Sequence, residues 1–142
     1  MINVRRVVVL AACLVLVLVS GGYAESEKEP TDEDLLIDLL IDYCSAIEKG
    51  DVDGLLTLFS KNYKDEDGTD YDTIKWRMEH IVPMLALART KISGADAKIE
   101  VEDDTATLGP CIAKSPFGKI YITLGAAKEE SAWRITSMKF EY

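Results

Sequence analysis

Histidine occurs once in this chain and cysteine three times, with no CxxC pair and no cysteine–histidine cluster. Zinc and iron centres draw on such clusters, so no metal site is expected, and no cofactor. Basic residues are scarce beside acids, 16 Lys and Arg against 25 Asp and Glu, a net charge of −9. An acidic surface repels phosphate backbones and anionic lipid, which argues against nucleic acid as a partner. The longest apolar run, Val7 to Val19, falls short of the roughly 20 residues of a membrane-spanning helix. Internal repeats, linkers and low-complexity stretches are missing too. The 142 residues suffice for one domain around one core.

The amino end carries export chemistry. Arg5 and Arg6 precede the apolar run, and Ser20-Gly21-Gly22-Tyr23-Ala24 follows it. A basic start, a short apolar stretch and a small-residue end make a signal peptide, with cleavage expected after Ala24. The mature chain then begins at Glu25, is periplasmic or secreted, and has no membrane contact. Cleavage removes two cations and no acid, leaving 14 against 25, a net −11. Two other readings stay open: a retained N-terminal anchor, and a lipoprotein cleaved before Cys13 in Leu10-Ala11-Ala12-Cys13. After cleavage Cys44 and Cys111 remain. Each sits in an apolar context, and in an exported protein the pair is a candidate disulfide; the alternative is two small buried hydrophobes.

Residues 25–30 read as a polar tail. Thr31 is an expected N-cap, with Asp32, Glu33 and Asp34 in the first turn. Leu36, Leu40, Tyr43, Cys44 and Ile47 recur at helical spacing, and Gly50 ends the helix. Asp51 caps a short second helix with Leu55, Leu56, Leu58 and Phe59 on its apolar side. Tyr63 to Gly68 is an acidic loop. Asp70 caps a third helix whose inner face is assigned to Ile74, Trp76 or the stem of Arg77, Met78, Ile81 and Val82. Pro83 is expected to end or kink it.

Beyond Pro83 the period changes to alternation. Arg89 to Glu102 reads as one strand broken at Gly94-Ala95-Asp96. Thr105 to Lys114 follows, with Ala106, Leu108 and Ile112 on one face and Pro110 marking an edge or a bulge. A third strand turns Ile120, Ile122, Leu124 and Ala126 inward. The last begins at Trp133 and Ile135 and changes phase at Met138 and Phe140, which predicts a bulge near Ser137. Helices followed by hairpin-connected strands give an α+β fold: three N-terminal helices on a curved four-stranded antiparallel sheet, forming a cone with a cavity. The domain is expected to span residues 31–142.

Tyr43, Ala46-Ile47, Gly50-Asp51-Val52-Asp53, Leu55-Leu56, Leu58-Phe59, Asp104-Thr105-Ala106-Thr107 and Trp133-Arg134-Ile135 together resemble the nuclear transport factor 2-like superfamily of cystatin-like cones. That superfamily includes ketosteroid isomerases, scytalone dehydratase, SnoaL-like cyclases and many non-catalytic binding domains. The resemblance spans Asp32 to the C-terminus. By similarity to ketosteroid isomerase, Tyr43 falls on the tyrosine that bonds the developing oxyanion and Asp67 on the aspartate that moves the proton. The family's third site residue, a protonated acid, falls near Gly125, with Thr123 its nearest polar neighbour.

The residues themselves leave both roles open. Tyr43 is either an electrophile or a core tyrosine, and Asp67 either a general base or a turn former ahead of Gly68. Trp76, His80, Leu108, Ile122, Leu124 and Trp133 are the expected cavity lining. Trp76 and Trp133 read equally as core, and His80 as a surface residue. The first functional expectation is a non-catalytic exported domain that binds a small apolar ligand or self-associates as a homodimer. The alternatives are an isomerase, dehydratase or cyclase acting on a small apolar carbonyl compound through Tyr43 and Asp67, and a structural accessory protein of the cell envelope.

Overall fold

A computed structural model describes residues 28–142. The expected signal segment, the expected cleavage after Ala24, Cys13 and the first part of the expected tail lie outside the described residues; Lys28 to Pro30 carry no helix or strand. The folded body runs from Thr31 to Tyr142. Among the described residues no helix is long and apolar enough to cross a membrane.

Helix α1, Asp32–Lys49, starts at Thr31 as a capping box. The Thr31 hydroxyl accepts from the Asp34 N–H at 3.2 Å, and the Asp34 carboxylate accepts from the Thr31 N–H at 3.0 Å. Two otherwise orphaned donors are satisfied reciprocally. Gly50 ends the helix at φ 70°, a left-handed conformation that needs no side chain. Its buried stripe is Leu36, Leu39, Leu40, Tyr43, Ala46 and Ile47. Helix α2, Val52–Leu56, is capped by Asp51 and buries Leu55. Helix α3, Tyr71–Leu87, is capped by Asp70 and buries Ile74, Met78 and Val82. Pro83 lies inside α3 and does not end it: four more helical residues follow. Trp76 is not on the inner face either. It stands two residues from both Ile74 and Met78, which at 3.6 residues per turn is the far side, and it is 61% exposed.

The sheet holds five strands rather than four. The break foreseen at Gly94-Ala95-Asp96 is complete enough to divide the first strand into β1, Lys91–Ser93, and β2, Lys98–Glu102. Both pair antiparallel with β3, Thr105–Ser115, at its two ends. β4, Gly118–Glu129, and β5, Ala132–Glu141, complete the order β1/β2–β3–β4–β5. Glu48 of α1 accepts the Ile92 N–H of β1 at 2.9 Å. At the other edge, the segment after α2 pairs with β5: Ser60 N–H donates to the Ile135 carbonyl and Ile135 N–H to the Leu58 carbonyl, each at 2.8 Å. Edge groups that would invite another strand are therefore engaged at both places.

Two bulges set the phase of the inner face. The β3–β4 register shifts between Leu108 and Cys111. Pro110 thus marks a bulge in an interior strand, not an edge. Ala106 and Leu108 face inward before it, Cys111 and Ala113 after it. Ile112, expected inside, is turned to the outer face for that reason. The second shift pairs Gly125 with Ser137 and Ala126 with Ile135, leaving Thr136 as the extra residue beside the expected Ser137. It lets Trp133, Ile135 and Met138 all face inward.

The first turn of α1 is fastened to the β4–β5 hairpin. Asp32, in the first turn of α1, accepts from Lys128 Nζ at 2.9 Å and from the Trp133 indole N–H at 3.1 Å. These bonds hold its carboxyl below the usual range.

Candidate functional site

A cavity of about 360 Å³ lies between α1, α3 and the inner face of the sheet. Tyr43 and Ile47 reach it from α1, and the Arg77–Ile81–Leu85 row, one residue per turn, from α3. Ala113, Ile120, Ile122 and Phe140 form its floor on β3, β4 and β5, and Thr90, just ahead of β1, is also in the wall. The lining is mostly apolar, with a few polar groups at separated points, the usual make-up of a small-molecule site. A second, more open groove of about 550 Å³ runs along the other flank of α1, where Ile37, Ile41 and Cys44 face Gly94, Ala97 and Ile99.

Tyr43 is where the helical stripe predicted it, buried, with its ring in the cavity wall. Its hydroxyl donates to the Met138 sulfur at 3.5 Å. A thioether is a weak acceptor, so this bond is readily exchanged for a better one. Burial pushes the phenol far above its ordinary range, with Cys111, Cys44 and Tyr63 adding to the shift. Tyr43 therefore stays protonated and can act as a hydrogen-bond donor.

Asp67 is elsewhere. It is exposed, in a turn built by Asp65, whose carboxylate accepts the N–H groups of Asp67 and Thr69 at 3.0 Å each. It is not in the wall of the cavity that holds Tyr43. The acidic loop is shaped by Asp65 as an Asx turn, and the residue two positions on is carried outward. Gly125 and Thr123 alternate with the inward Leu124 and Ala126, so they lie on the outer face. A methyl on Gly125 would run into the Ser137 hydroxyl. The three positions matched to the ketosteroid isomerase site are not gathered around one pocket.

Of the six expected lining residues, Ile122 is in the cavity wall. Leu108 and Leu124 are cross-strand neighbours with no exposure and belong to solid core. Trp133 is buried too, its indole N–H taken by Asp32. Trp76 and His80 stack on the outside of α3, ring centroids 4.3 Å apart, with His80 Nδ1 2.7 Å from the Trp76 carbonyl oxygen. Sequence reasoning missed Ala113 because its phase depends on the bulge, and Thr90 because a lone threonine between two cations carries no pattern.

Cys44 and Cys111 are brought together as free thiols, near enough to shift one another's ionisation. That nearness and burial raise the Cys111 thiol well above its ordinary range. Among the described residues no three His, Cys, Asp or Glu side chains are grouped to hold a metal ion.

No protein-family model matches this sequence, and no curated protein matches it. Solved structures do. A Nostoc punctiforme protein of unknown function with a cystatin-like fold superposes with a TM-score of 0.60 at 16% identity, over 80% of this chain and 94% of that one. An NTF2-like protein of unknown function from Shewanella baltica gives 0.59 at 13% identity, over 80% and 97%. Bd1075 of Bdellovibrio bacteriovorus gives 0.60 at 16% identity over 74% of this chain, which spans 38% of that larger one. The fold is the cystatin-like, NTF2-like α+β fold; at these identities the likeness speaks of fold alone.

Proposed function

We propose that this chain is an exported, non-catalytic domain that binds a small apolar molecule in the cavity between α1, α3 and the sheet. The observation that carries the reading is the cavity: about 360 Å³ bounded by Ile47, Ile74, Val82, Leu85, Ile120 and Ile122. Burying apolar surface there is worth about 25 cal/mol per Å². The catalytic alternative has less support. A Tyr43 donor is present, but Asp67 is in solvent and not in the cavity wall, and proton transfer needs a base within hydrogen-bond reach of the reacting atom.

The test is titration with 1-anilinonaphthalene-8-sulfonate and with 1-naphthol, read by fluorescence. Ala113 is buried in the floor, and a phenylalanine there takes up cavity volume; the melting temperature of the variant is measured alongside to show that it folds. Saturable binding by the native chain and at least tenfold weaker binding by Ala113→Phe is the expected result. Equal binding by both chains, or none by the native chain, refutes the cavity as a binding site.

A further inference from the structure

The two thiols that α1 and β3 bring together are unequally placed. Cys111 has no exposure. Cys44 is part-exposed and stands in the wall of the open groove, on the flank of α1 away from the apolar cavity. It follows Ile41 by three residues and Ile37 by seven, which puts all three on one face of the helix. Ile37 and Ile41 are 41% and 58% exposed, so this face is open to solvent where it leads to Cys44. A molecule entering the groove therefore meets Cys44 and not Cys111.

The chemistry of the pair has the same direction. The thiolate, not the thiol, attacks a disulfide, and access decides which sulfur takes part. The nearness of Cys111 lowers the Cys44 thiol below its ordinary value, against part-burial and the Glu48 carboxylate. The same nearness, with burial, raises Cys111. One thiol is open and readily ionised; the other is closed off and held protonated. The groove also has a charge preference. Glu33 is the one charged residue among those described in its wall, on a chain of net charge −9, and a site of one sign repels ligands of that sign.

We propose that Cys44 is the entry point of a thiol–disulfide exchange site, which takes small disulfides without negative charge and passes the bond on to Cys111. The Cys44 thiolate attacks one sulfur of RS–SR in the groove. That S–S bond breaks, RS⁻ leaves and is protonated by water, and Cys44–S–S–R forms. Cys111 then attacks the Cys44 sulfur, and the second RS⁻ leaves with the Cys111 proton. Two electrons pass from the pair to the small disulfide: RSSR and two thiols give one Cys44–Cys111 bridge and two RSH. In the reverse reaction a small thiol attacks the bridge at Cys44, and Cys111 is the sulfur released. The groove is separate from the apolar cavity, so this site stands whether or not the cavity binds a ligand.

The experiment follows the reduced, folded full chain, carrying Cys13→Ser so that only the pair is read, by mass spectrometry during reaction with cystamine, a cationic disulfide, and with oxidised glutathione, an anionic one. Cystamine is expected to close the bridge. With Cys111→Ala the reaction stops at a stable mixed disulfide on Cys44, and with Cys44→Ala the Cys111 thiol is left unreacted until the chain is unfolded in urea. Each rate is divided by that of the same chain unfolded, and cystamine is then expected to react about tenfold faster than oxidised glutathione. Acid quenching of the unsubstituted pair, followed by peptide mapping, places the transient adduct on Cys44 even if a substitution prevents folding. An adduct on Cys111 in the folded chain, or no reaction at Cys44 before unfolding, overturns the exchange site. Equal normalised rates for the two disulfides overturn the charge selection by the groove.

Discussion

Tyr43 shows how one residue can be legible in position and not in role. Its spacing with Leu36, Leu40 and Ile47 put it on the buried stripe, and it is there. What its hydroxyl meets depended on Met138, 95 residues away, beyond the reach of any local pattern. Because an O–H to sulfur bond is weak, Tyr43→Phe is expected to cost about 1 kcal/mol or less in urea unfolding. A cost above about 3 kcal/mol would mean that the hydroxyl has a stronger partner than the thioether. Trp76 and Asp67 mislead for opposite reasons. Trp76 is apolar and was assigned inward, although its helical phase is outward. Asp67 was matched by spacing to a family position, although Asp65 two residues earlier takes the turn's N–H groups and sends it into solvent.

At the scale of elements, caps and turns were readable because their chemistry is local. Thr31, Gly50, Asp51 and Asp70 each sit where their side chains, or the lack of one, were expected to place them. Strand phase was harder. The β5 bulge was visible as a break in alternation at Met138, but the β3 bulge falls between Leu108 and Cys111, and the Cys111-Ile112-Ala113 that follows it satisfies either phase. That shift places Cys111 against Cys44 and so joins α1 to β3 through two thiols. In an oxidising compartment the pair is expected to close. The bridge encloses a loop of about 65 residues, for which loss of unfolded-state freedom gives about 4 kcal/mol. Thiol counting of chain isolated from its native host checks this: none reactive after unfolding is the expected result, and two would refute the bridge. The bridged form should melt higher than the reduced form.

For the whole molecule, the α+β class, with three helices ahead of an antiparallel sheet, followed from the order of elements, whereas the cavity's true wall needed the bulges, the run of α3 through Pro83 and the Thr90 junction. The outer sheet face presents Tyr121, 37% exposed, with Thr123 and Ala127 beside it. We propose a homodimer through this face. Light scattering at micromolar concentration is expected to give twice the chain mass, and Tyr121→Glu to give the single-chain mass; a native monomer refutes it.

The fastening of Asp32 to Lys128 and Trp133 also has a meaning in time. Its partners come 96 and 101 residues after it. Synthesis at about 5–20 residues per second puts about 5–20 s between them. For that interval the leucine-rich stripe of α1 is made but has no sheet to lie on. The export proposed above calls for a chain that is still unfolded, and here the strands that complete the fold leave the ribosome after all three helices. The delay built into the order of the chain keeps it threadable for as long as its final hairpin is unmade.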